Sequence, residues 1–131
     1  MAGRLKAIGL LRPRVKLGRM VEMDQIVSFV ANRSGLSRAG INQVIYELNE
    51  AILFFGRDGR TVKLNGLARF APKVAIDGKL AFSVTVDNEL QVRLNDLGTY
   101  KGEFYNRQNL GKTPDELLEQ WNTENPDDPV L

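Results

Sequence analysis

The apolar period of the chain changes once, at Gly59, and that change dictates the class of fold open to it. Before Gly59, the residues Ile41, Val44, Ile45, Leu48, Ala51, Ile52 and Phe55 recur at the three-, four- and seven-residue spacing of one helical face. After it, Val62 and Leu64 alternate with Lys63 and Asn65, and Phe70, Val74 and Ile76 carry the alternation to Asp77-Gly78, a hairpin turn signal. Leu80, Phe82, Val84 and Val86 then alternate with Ala81, Ser83 and Thr85. A turn at Asp87-Asn88-Glu89 leads to Leu90, Val92 and Leu94, which read as one more strand. Helices followed by an antiparallel meander with one buried face make an α+β fold.

Punctuation residues place the remaining boundaries. Asp24 reads as the N-cap of a first helix with Ile26, Val27, Phe29 and Val30 on one face. Ser34-Gly35-Leu36-Ser37 ends it at Gly35 and starts the long helix at Ser37. Pro13 and the glycines at 3, 9 and 18 argue against a helix before residue 20, so residues 1–22 read as a basic extended arm or edge strand. Residues 96–112 read as loop. Thr113-Pro114-Asp115-Glu116 is a capping box opening a short C-terminal helix through about Trp121. The expected divisions are therefore 1–22, 23–95 and 96–131, the last a loop, a short helix and an acidic tail.

The chain contains no Cys and no His. Disulfides, thiolate metal sites, imidazole acid–base chemistry and the Ser-His-Asp triad are thereby excluded. No P-loop, dinucleotide fingerprint or EF-hand loop is present. These absences point away from an enzyme and call for no cofactor, metal or small-molecule substrate. No apolar run reaches the length of a membrane helix, so no membrane partner is expected. Ala7-Ile8-Gly9-Leu10-Leu11 is too short for the apolar region of a signal peptide, which makes the cytoplasm the expected location.

The net charge of +2 hides a gradient: +6 over residues 1–19, +2 over 20–73 and −6 over 74–131. A basic first half suits phosphate binding, whereas an acidic tail repels the same partner. The plain alternative is a solvated basic surface. Phe29, Phe55, Phe70 and Phe82 fall on expected core faces, and Tyr100, Phe104, Tyr105 and Trp121 read as pins for the tail. On this reading the aromatics make no stacking platform for a single strand.

Several motifs fall in register between Met23 and Lys73: Ser34-Gly35-Leu36-Ser37, then Gly59, Val62 and Leu64, then Gly66-Leu67-Ala68-Arg69-Phe70. This run resembles the bacterial histone-like HU and integration host factor family, where an S-G-L-S turn, a G-x-x-V-x-L turn and a G-F-G-x-F strand follow in that order. The resemblance implies two helices followed by an antiparallel sheet and a homodimer of intertwined chains. Val62, Leu64, Phe70 and the Leu48, Ile52 and Phe55 edge are then expected at the interface. It also implies binding of double-stranded DNA, with a nucleoid-associated role. The chain departs from the family at its arm. Lys73 matches the first basic arm position, but Ala75 stands where a second Arg is expected and Ala68 replaces the second Gly of the motif. Asp77-Gly78 closes a tight hairpin, and no Pro lies between Pro72 and Pro114 to act as a wedge.

The expected phosphate contacts are Arg57 and Arg60 at the turn and Lys63, Arg69 and Lys73 on the strands. By the period-2 rule these three strand residues face away from Val62, Leu64 and Phe70. Arg12, Arg14 and Lys16 on the N-terminal segment are expected to add to them. An adaptor or dimerisation module without nucleic acid is the competing expectation, favoured by the acidic second half and the shortened arm. A winged helix-turn-helix, with Arg38, Asn42 and Gln43 reaching base edges, is the weaker third.

Overall fold

The computed structural model describes residues 3–130. The chain is α+β, with five α-helices and two small antiparallel sheets among the described residues. It divides into two compact units. Among the described residues, those up to Arg19 fold with those from Lys101 onward, and Met20–Tyr100 form the other unit.

In the Met20–Tyr100 unit, helix α2 (Met23–Ser34) begins at Glu22, whose backbone N–H donates to Gln25 Oε1 at 3.3 Å. Glu22, not Asp24, is the N-cap, and Asp24 sits in the first turn, where a carboxylate favours the helix dipole. The helix ends at Gly35, in the left-handed region at φ 76°. Ser37 then caps α3 (Arg38–Arg57), its Oγ accepting the Gly40 N–H at 3.0 Å. The Arg38 guanidinium donates to Ser28 Oγ and ties the two helices together.

Beyond Gly59 come β2 (Val62–Leu64), β3 (Ala68–Val74) and β4 (Leu80–Val86), in spatial order β2-β3-β4 and antiparallel throughout. Gly56 lets the last turn of α3 approach this sheet, since a Cβ there would meet the Phe82 ring at 2.5 Å. The strand expected at Leu90–Leu94 is instead a helix, α4 (Asn88–Leu94). Asp87 caps it by accepting the Glu89 N–H at 2.9 Å. Over seven residues Leu90 and Leu94 satisfy the helical i, i+4 spacing as well as alternation, and the cap decides between them.

In the other unit, the expected extended arm is overturned in its first half. Residues Arg4–Leu11 form helix α1, with Ala7 buried against α5 (Pro114–Glu124), beside the buried Leu117 and Trp121. A mid-helix glycine costs only about 1 kcal/mol, which tertiary burial offsets, and Pro13 lies beyond the helix end. The carbonyls that α1 leaves open are satisfied from far along the chain. Asn106, at φ 56°, donates through Nδ2 to Leu10 O and Arg12 O at 2.8 and 3.0 Å. The buried Asn109 donates to Leu11 O at 2.6 Å.

Residues Arg14–Lys16 form β1, paired with β5 (Glu103–Tyr105) inside the stretch expected to be loop. A short 3-10 turn over Arg107–Asn109 follows. Helix α5 is capped by Thr113, as the motif predicts, and runs on to Glu124. The tail folds back on it: Trp121 Nε1 donates to Asp128 O at 2.7 Å, and the Asn122 side chain makes two hydrogen bonds to the Val130 backbone.

Candidate nucleic-acid interface

The register of the three-stranded sheet decides which side chains share a face. Lys63 lies opposite Arg69 and Val62 opposite Phe70, while Arg69 lies opposite Thr85, Ala71 opposite Ser83 and Lys73 opposite Ala81. Residues directly across a ladder point the same way. One face therefore displays Lys63, Arg69, Lys73, Ser83 and Thr85, all exposed, and the half-buried Val62, Leu64 and Phe70 turn to the other. Lys63, Arg69, Thr85, Asp87 and Asn88 line a cleft of about 330 Å³. The Asp87 carboxylate on its wall is engaged in capping α4. Among the described residues, the two ion pairs, Arg4–Asp115 and Lys16–Glu103, both belong to the other unit.

Arg57 is the last residue of α3 and Arg60 follows the turn at Gly59, whose φ of 73° releases the chain. Both cations stand near the negative end of the α3 dipole. The Arg60 guanidinium lies 5.2 Å from the centroid of the Phe55 ring. Arg57 lines an apolar cleft of about 410 Å³ with Leu53, Gly56, Pro72, Leu80 and Phe82. Of the expected basic residues, the fold thus gathers Lys63, Arg69 and Lys73 on one sheet face and leaves Arg57 and Arg60 at the end of α3.

Arg12, Arg14 and Lys16 belong to the other unit. Arg12 follows α1 directly, and Arg14 and Lys16 lie on β1. Lys16 Nζ is 3.4 Å from a Glu103 carboxylate oxygen, and the Arg14 guanidinium is 5.2 Å from the Tyr105 ring centroid. The acidic tail shares this unit with the basic N-terminal segment, so the two charge blocks of the sequence partly offset one another inside it.

Ile76, expected to continue the alternating strand, lies beyond the end of β3 at Val74. The β3–β4 hairpin turns through Ala75–Lys79, where Gly78 donates to Ala75 O at 2.9 Å, and this puts Ile76 at the tip, fully exposed. Alternation overruns the ladder here, because pairing stops at Val74 opposite Leu80 and leaves Ile76 with no residue across from it.

The reverse side of the unit is largely uncovered. Val27 and Ile41 are its buried apolar residues, whereas Phe29 and Phe54 are 61% and 67% exposed. Leu80, Phe82, Val84 and Val86 along β4 are exposed too. The expectation that Phe29, Phe55 and Phe82 lie in a core fails for the single chain, because α2, α3 and one three-stranded sheet lack the surface to enclose them. A second apolar cleft, of about 290 Å³, opens between Ile52 and Leu53 of α3 and Phe70, Phe82 and Val84 of the sheet.

No helix among the described residues is long and apolar enough to cross a membrane. No group of three His, Cys, Asp or Glu among them is placed to hold a metal ion. No family model matches the chain, and no curated protein matches it.

Proposed function

We propose that the chain is a histone-like, nucleoid-associated DNA-binding protein. In this reading it acts as a homodimer and contacts duplex DNA through phosphates and the minor groove with little preference for sequence. The observation that carries the reading is the facing pair Lys63 and Arg69, continued on the same exposed face by Lys73. Like charges directly opposite on a ladder repel. A phosphate backbone laid across them removes that repulsion and releases counterions. Thr85 and Ser83 add hydroxyl donors on the neighbouring strand, and no element of the sheet reads base edges. The open apolar face supports the dimer, since a second copy offers the same surface in a self-complementary arrangement.

Titration of unrelated duplexes at two salt concentrations tests the reading. With about four to six phosphates neutralised, log K falls against log salt with a slope of roughly −4 to −5. Affinity is the same for unrelated sequences. One observation favours the adaptor alternative: residues 20–100 hold nine bases and nine acids, so this unit carries no net charge. Absence of binding at about 50 mM salt decides for that alternative.

A further inference from the structure

The β1–β5 ribbon presents a surface that duplex binding by the three-stranded sheet leaves unused. Arg14 and Lys16 are alternate residues of β1, so they share a face at a separation of roughly 6.6 Å. Register places Tyr105 opposite Arg14 and Glu103 opposite Lys16 on that face, and pairs Val15 with Phe104 on the reverse. Tyr105 is 48% exposed, with the Arg14 guanidinium 5.2 Å and the Lys16 ammonium 6.0 Å from its ring centroid. Its neighbour Phe104, on the reverse face, is half-buried. Residues 12–19 carry Arg12, Arg14, Lys16 and Arg19 and no acid. Glu103 is the carboxylate on this face, held by Lys16 at 3.4 Å.

We propose that this face binds single-stranded nucleic acid, one unpaired base stacking on Tyr105 while a flanking phosphate meets Arg14. An aromatic ring on an open ribbon offers a stacking surface that any base can use, and the cations that lie over it are displaced onto the backbone phosphates when a base stacks there. In a duplex the base faces are already taken by neighbouring pairs, so the ring selects the single strand. This site does not depend on the sheet's contacts, because it lies in the other unit and shares with the expected duplex contacts only the N-terminal basic residues.

The test is fluorescence anisotropy of end-labelled oligothymidylate and, separately, of a labelled duplex, titrated with the full chain at low salt. Tyr105→Ala loses about fivefold or more in affinity for the oligothymidylate, Tyr105→Phe keeps it, and both leave duplex binding unchanged. Arg14→Gln keeps the ring in place and flattens the single-strand salt slope by about 0.7, a readout that stands even if removal of the ring loosens the ribbon. Oligothymidylate binding that persists where duplex binding is absent removes the duplex reading and supports this one. Equal oligothymidylate affinity of Tyr105→Ala and the unaltered chain overturns the proposal. So does an equal loss on the duplex, or no binding of the single strand at all.

Discussion

Lys63 and Arg69 face each other across the ladder, both exposed, and exposed charges of this kind contribute little to folding. Changing Arg60, Lys63 and Arg69 together to Ala therefore leaves stability within about 0.5 kcal/mol per site by thermal melting. The same triple change flattens the salt slope of duplex binding by nearly three units. An unchanged slope would place the duplex contacts elsewhere. Gly56 behaves oppositely. Its absent Cβ leaves room for the Phe82 ring, so Gly56→Ala forces the ring aside and costs about 1–3 kcal/mol in chemical denaturation. Single positions were legible where the period is strict: the sidedness of Lys63 and Arg69 follows from alternation alone. Tyr105 was not legible, because its exposure depends on a partner strand at Arg14–Lys16, and no local pattern reports a pairing so distant in the chain.

Helix ends explain most of what the sequence pattern missed among the elements. The segment from Leu90 to Leu94 fits two periods at once, and a single side-chain cap settles it as α4. Asp87→Ala accordingly removes about 1 kcal/mol and frays that helix, visible as faster amide exchange at Glu89 and Leu90. Helix α1 forms against the advice of Gly9 because Asn106 and Asn109 supply its missing C-terminal partners. By contrast, α3 was readable over nearly its full length, since its apolar residues repeat for several turns and Ser37 announces its start. The β3–β4 hairpin ends in the exposed Ile76, an apolar tip of the type that can unstack a base step. With so short an arm the duplex bends only slightly, as fluorescence transfer between its ends measures. Ile76→Ser removes that slight bend and leaves the salt slope unchanged, since no charge is lost.

For the molecule as a whole, the open apolar side of the Met20–Tyr100 unit is the surface on which the proposed dimer is tested. Light scattering at micromolar concentration gives twice the 14.7 kDa chain mass, and the melting temperature rises with protein concentration, as for any obligate dimer. A compact monomer would contradict this. The α+β class was legible from one change of period, but the joining of both chain ends into one unit was not. That joining rests on amide-to-carbonyl bonds and a three-residue ladder between stretches that carry no matching signal. It also imposes an order in time. An eight-residue helix is marginal alone, and the side chains that close α1 lie 94 to 98 residues away, a loop slow to form. The Met20–Tyr100 unit pairs elements that neighbour one another in sequence and can close first, while α1 and β1 wait for the longer loop.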